Sequence, residues 1–206
     1  MIGIVDYGVG NIASIKNMLD RAGAASFITE TAADIEKAGK LILPGVGAFD
    51  TCVEKLQQTG FVEILNKKVL EEKIPLLGIC VGMQLLFRSS EEGKLNGLGW
   101  IKGENIRFKH ELFRDKQLKI PHMGWTDVSA AKQSALLADM FEEPRFYFVH
   151  SYHAKLEDPG DALLMAEYGY GYAAAVEHKN IVGVQFHPEK SHKYGLKLLE
   201  NFAKNY

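Results

Sequence analysis

Three short apolar runs in the first half of the chain end in turns rich in glycine or in small residues. A helical pattern follows each one. Ile2–Val5 leads to Gly8-Val9-Gly10-Asn11, after which Ile12, Ile15, Met18 and Leu19 recur at helical spacing. Residues 40–43 end at Pro44-Gly45-Val46-Gly47, and helical patterns cover 48–58 and 62–72. Ile74-Pro75-Leu76-Leu77-Gly78 runs into Cys80, followed by Met83, Leu85, Leu86 and Phe87. Runs without polar alternation suit strands buried on both faces of a parallel sheet. Strand–turn–helix repetition then predicts a doubly wound α/β fold. Ser26–Thr29 reads as a further strand and 33–38 as a short helix.

The second half is patterned differently. Residues 105–108, 118–120 and 125–128 are short strand candidates between charged loops, and 145–149, 163–167 and 172–177 alternate in polarity. These predict antiparallel strands that either continue the sheet or form a smaller one. Residues 181–186 read as another buried strand, and 194–206 as a terminal helix with Leu196, Leu198, Leu199 and Phe202 inward. The 206 residues show no repeat and no linker, so one domain spanning 1–206 is expected.

The formal net charge of −2 gives no basic footprint for nucleic acid. No apolar run approaches the roughly 18 to 20 residues of a membrane span. The opening Met1-Ile2-Gly3-Ile4-Val5-Asp6 lacks a basic leader, and the two cysteines suggest no bridge framework. A reducing compartment, the cytoplasm, is therefore expected.

Gly78-Ile79-Cys80-Val81-Gly82 is a G-x-C-x-G form of the nucleophile elbow. There the nucleophile sits on a strained turn between strand and helix, and small flanking residues let the two approach. The positive end of the following helix would lie at the thiol. Cys52 has no such frame and reads as a small core residue.

A cysteine nucleophile needs a histidine base and a group to orient it. His187 directly follows an apolar strand, in Gln185-Phe186-His187-Pro188-Glu189-Lys190-Ser191. Positions i and i+2 of an extended chain point the same way, and Pro188 favours extended backbone at His187. Glu189 can therefore accept the ring proton of His187. Acyl transfer also needs oxyanion donors. Val46 or Gly47 supplies one backbone N–H in this reading, and Val81 another. The glycines beside Val46 make rotation of that peptide sterically cheap.

These motifs resemble the class I glutamine amidotransferases, which carry a Cys-His-Glu triad. The elbow extended to Met83-Gln84 and the Phe-His-Pro-Glu segment carry the match. A finer resemblance, to the glutaminase subunits of imidazole glycerol phosphate synthases, rests on five segments. They are Asp6 to Asn11, Leu43 to Phe49, Pro121 to Trp125, Phe148 to Tyr152 and Gln185 to Ser191. Thr126 departs from it, standing where that group usually carries Asn. The resemblance implies a flavodoxin-like glutaminase domain that hydrolyses glutamine through a cysteinyl thioester. It implies a separate (β/α)₈ cyclase partner in histidine biosynthesis that consumes the ammonia, and no cofactor or metal. Gly45, Gln84, His150, Ser151 and Tyr152 would hold glutamine. Asn11, His122, Trp125, Tyr147 and Lys190 would face the partner.

Three rival readings exist. Related glutaminase subunits feed other synthases, including those making anthranilate and GMP. Gly8-Val9-Gly10-Asn11-Ile12-Ala13 fits G-x-G-x-x-A, with Glu30 about 20 residues on, as in a dinucleotide fingerprint. Asp6 just before those glycines would face a pyrophosphate poorly, and this reading leaves Cys80 and His187 unexplained. A non-catalytic interaction module on the same fold would not need the Cys-His-Glu set.

Overall fold

A computed structural model describes residues 1–113, 115 and 117–206. Its strands are β1 Ile2–Val5, β2 Ser26–Thr29, β3 Lys40–Gly45, β4 Leu76–Cys80, β5 Gly103–Arg107, β6 His122–Ala130, β7 Arg145–His150, β8 Tyr152–Leu156, β9 Ala162–Glu167, β10 Gly171–His178 and β11 Ile181–Val184. Its α-helices are α1 Ile12–Arg21, α2 Ala32–Lys37, α3 Phe49–Gln58, α4 Phe61–Asn66, α5 Val81–Gln84 and α6 His192–Asn205.

The strands β2-β1-β3-β4-β11 run in that order and pair in parallel. With β11 as the fifth strand this is the flavodoxin-like order, and its switch point lies between β1 and β3. β1, β4 and β11 are buried at every position. That accounts for their uninterrupted apolar sequence, since helices cover both faces of a doubly wound sheet. The three longest helices each bury one stripe: Ile15, Met18 and Leu19 of α1, Cys52, Val53 and Leu56 of α3, Leu198, Leu199 and Phe202 of α6. The expected antiparallel strands continue the same sheet. β10 lies antiparallel beside β11, and β9, β6 and β7 follow in turn. β8 pairs with both β10 and β5.

Several elements differ from the sequence expectation, and Tyr152–Leu156 forms β8 where no strand was expected. Residues 118–120 form no strand. The Leu118 carbonyl lies 3.1 Å from the His110 ring and the Lys119 carbonyl accepts from the Tyr168 hydroxyl, so side chains use the acceptors a ladder would need. The helix after Cys80 is one turn, Val81–Gln84, rather than running through Phe87. The 62–72 segment divides into α4 and a π-helical turn, Lys67–Glu71. No helix among the described residues is long and apolar enough to cross a membrane.

Candidate active site

In a parallel sheet the turns after the strands share one edge, and ligands bind in the crevice there. Here the turns after β1, β3, β4 and β11 carry Asn11, Val46 and Gly47, Cys80 and Val81, and His187. All line one cavity of about 430 Å³, together with Gln84, His150, Ser151, Tyr152 and Lys190.

Cys80 ends β4 with φ +56° and ψ −114°. A non-glycine residue at positive φ costs on the order of 1–3 kcal/mol and persists only where its surroundings enforce it. Here the enforcement comes from close packing around the turn. A Cβ on Gly82 would lie 1.9 Å from the Leu43 carbonyl oxygen, and one on Gly78 would lie 2.7 Å from the Gly82 oxygen. The thiol therefore stands at the strand tip because β3, β4 and α5 converge without side chains between them.

His187 is held through its backbone. Its N–H donates to the Tyr147 carbonyl at 2.9 Å, and its own carbonyl accepts from Ser191 Oγ at 2.6 Å. Ser191 Oγ in turn accepts from the Tyr147 N–H at 3.0 Å, so β7 fixes the segment. His187 Nδ1 lies 2.8 Å from Glu189 Oε1, and the two side chains are 3% and 1% exposed. Burial opposes charge on His187. Hydrogen bonding to Cys80 and Glu189 outweighs it and raises the imidazole to about 10. Burial also opposes charge on Glu189, and His187 with Asn11 nevertheless holds its carboxyl below the usual value. Asn11 Nδ2 donates to the same Oε1 at 2.7 Å. Oε2 is buried with no hydrogen-bond partner among the described residues.

Gln185 is a site residue that the sequence reading missed. It is fully buried, and its Nε2 points to Cys80 Sγ at 3.9 Å while its Oε1 accepts from Gln84 Nε2 at 3.1 Å. Gln84 Nε2 also donates to the Tyr152 carbonyl at 3.3 Å. Gln185 and Phe186 form bends just past β11, so strand alternation gave no signal for this contact, which spans 105 positions of sequence.

Gly45 does not line the cavity. It is buried, and a Cβ there would meet Gly82 N at 2.5 Å, so its role is close approach of β3 to the elbow. Behind the turn, the Cys52 thiol donates to the Val46 carbonyl at 3.4 Å.

The expected partner-facing set splits by strand geometry. On β6, His122 and Trp125 are three residues apart, an odd separation that puts them on opposite faces. His122 is 1% exposed and stacks between Tyr168, at 4.0 Å, and Phe148, at 5.0 Å. Thr126, which stands in place of the usual Asn, bonds its ring at 2.8 Å. His122 is therefore withdrawn from the surface set. Trp125 is 38% exposed, pairs across strands with Tyr147 and stacks on His192 at 5.4 Å. Lys190 Nζ sits 5.8 Å over the Tyr147 ring. Asn11 is half-buried in the cavity, and its amide faces Glu189.

His150 lines the cavity, but its ring belongs to the buried cluster. It lies 2.8 Å from the Tyr152 carbonyl, 3.2 Å from His122 and 3.3 Å from the Tyr172 hydroxyl. Burial lowers it to about 3, and His122 to about 4, so both are neutral near pH 7.

The fingerprint loop offers no phosphate cradle. The Gly8 N–H is taken by Asp6 Oδ1 at 2.9 Å, and a Cβ on Gly10 would lie 2.7 Å from Pro44 Cβ. Among the described residues no cluster of His, Cys, Asp or Glu is arranged to hold a metal ion.

Comparisons with known proteins point one way. The family described as Glutamine amidotransferase class-I matches residues 3–206. Imidazole glycerol phosphate synthase subunit HisH 2 of Methanococcus maripaludis is 52% identical over 204 residues, covering 99% of each chain. The protein of the same name from Pseudomonas aeruginosa is 49% identical over 203 residues, covering 98% of each. PurLQS from Thermotoga maritima shares the fold, with TM-score 0.73 at 18% identity over 100% of this chain and 97% of that one. A protein described as glutamine amidotransferase does so too, with TM-score 0.70 at 20% identity over 96% of this chain and 98% of that one.

Proposed function

The chain belongs to the class-I glutamine amidotransferase family, and from that premise we infer that it is the glutaminase subunit of an imidazole glycerol phosphate synthase. In this reading residues 1–206 form one cytoplasmic glutaminase domain, and the ammonia passes to a separate (β/α)₈ cyclase subunit in histidine biosynthesis. The names of its near relatives support the histidine pathway over the other synthases. The carrying observation is the strained Cys80 beside a buried, ion-paired His187–Glu189 at one cavity.

The reaction follows from that arrangement. His187 takes the Cys80 proton, and the sulfur attacks the carboxamide carbon of glutamine. The carbonyl oxygen gains charge, which backbone N–H groups of Val46 or Gly47 and of Val81 stabilise. The C–N bond breaks as the imidazolium protonates the leaving nitrogen, giving ammonia and a thioester. Water then attacks the thioester, His187 takes its proton and returns it to sulfur, and glutamate leaves. The raised His187 keeps the proton on the ring between these transfers. Glu189 stabilises that charge and sets the ring orientation. Gln84, His150, Ser151 and Tyr152 border the space for the amino-acid end.

Substitution Cys80→Ala tests this in the assembled pair. Glutamine-dependent turnover is expected to vanish while added ammonia still supports the cyclase. Wild-type glutaminase activity in that variant overturns the reading.

A further inference from the structure

Asn11 stands at the N-cap position of α1, where an asparagine ordinarily spends its side-chain oxygen on the helix's free N–H groups. This one makes no cap hydrogen bond. Its amide instead reaches across 178 positions of sequence to Glu189 Oε1, at 2.7 Å. The same oxygen lies 2.8 Å from His187 Nδ1, so both bonds to the carboxylate converge on one atom. The loop carrying Asn11 has little freedom. Gly10 has φ +114° and presses on Pro44, and the Tyr7 hydroxyl donates to the Pro44 carbonyl at 2.6 Å.

We propose that Asn11 is a positioning residue of the glutaminase reaction, whose amide pins Glu189 Oε1 beneath His187 Nδ1 and so keeps the imidazole facing Cys80. This rests on the glutaminase reading above. A carboxylate with one bond, to the histidine alone, can swing with the ring. A second donor from another element removes that motion, as supporting hydrogen bonds do for other oriented histidines. The donor also favours the ionised form of Glu189, which in turn favours the imidazolium. The other ionisable groups at this cavity are Cys80, Glu92, His150, Tyr152 and Lys190. Asn11→Ala changes none of them, so the shift in its pH profile reports on the His187–Glu189 pair, whereas Asn11→Asp adds one carboxyl beside that pair.

The experiment compares Asn11→Ala and Asn11→Asp in the complex of glutaminase and cyclase, at saturating cyclase ligand and glutamine. Asn11→Ala is expected to lower glutamine-dependent kcat about 10-fold, the low end of the range for supporting partners. The glutamine KM should stay within about two-fold and ammonia-dependent turnover should be unchanged. The kcat–pH profile should narrow from its basic side, because His187 loses support for its charge. Asn11→Asp should be worse than Asn11→Ala at pH 8, where two carboxylates face each other. It should recover relative to Asn11→Ala by pH 6, as a shared proton restores a donor to Glu189. A fall in kcat with an unchanged pH profile overturns the proposal, and so does an effect confined to cyclase affinity. If Cys80→Ala is inactive and Asn11→Ala equals wild type, the glutaminase reading stands and this proposal falls. If Cys80→Ala stays active, the reading itself fails.

Discussion

Acidification should unfold this protein early, and the cause is the buried cluster under the cavity rather than the surface. His122 and His150 are each hydrogen-bonded and packed among aromatic rings in the folded state and sit at about 4 and about 3, against 6.5 in an open chain. A histidine lowered by folding costs nothing well above 6.5. Below 6.5 the unfolded chain takes up a proton that the folded chain refuses, so stability falls with pH. Between pH 7 and pH 5 each of these two groups costs about 2 kcal/mol, or about 4 kcal/mol together. His153, also lowered by burial, adds in the same direction. His187 has the opposite sign. Raised to about 10, its contribution is fully present below 6.5 and is lost only as pH climbs toward 10. Glu189, lowered on folding, loses its contribution only below the ordinary carboxylate range. Neither offsets the loss by more than about 1 kcal/mol. A total of about 4 kcal/mol is a large part of the stability of an ordinary domain. Urea unfolding at pH 7 and pH 5 under constant ionic strength measures it. Replacing both residues in His122→Gln/His150→Gln should lower stability at pH 7 yet flatten the slope toward pH 5. A wild-type loss under about 1 kcal/mol refutes the reasoning, and so does NMR titration of His150 near 6.5.

Two further outcomes follow from the geometry. Gly82→Ala places a methyl 1.9 Å from the Leu43 carbonyl oxygen and should cost about 3 kcal/mol, read as a lower urea midpoint at unchanged slope. Trp125→Ala removes an exposed aromatic ring stacked on His192 and should weaken cyclase binding by about 2 kcal/mol, measured by titration of the partner; an unchanged Kd would clear Trp125 of that role.

The parallel half was legible because burial on both faces writes itself as unbroken apolar runs, and β1, β3, β4 and β11 stand where those runs lie. The elbow was legible because Gly78 and Gly82 are required by backbone atoms less than 3 Å away. Where side chains compete with ladders, the pattern misleads. Residues 118–120 are apolar enough for a strand, but their carbonyls are spent on His110 and Tyr168. β8 went unseen because Tyr152 to Leu156 sits on a short ladder fixed by distant strands, β5 and β10, and not by local preference. His122 was placed outward by likeness alone, although the two-residue period of β6 already opposes Trp125. Asn11 and Gln185 illustrate the same limit from the other side. Each acts on a residue more than 100 positions away, and no local window of sequence contains both partners.

The place of β11 in the sheet has a consequence for how the protein is made. It is the last strand in sequence, yet it is inserted between β4 and β10, with Val184 beside Ile79. A ribosome therefore finishes the thiol long before it finishes the histidine that would activate it. While the growing chain waits, the edge of β4 is unpaired and Cys80 has no neighbouring base. A product truncated before β11 lacks His187 and Glu189, and with them the base that the thiol needs. The late insertion acts as an inspection step: only a chain translated past Glu189 and folded through the whole sheet acquires chemistry.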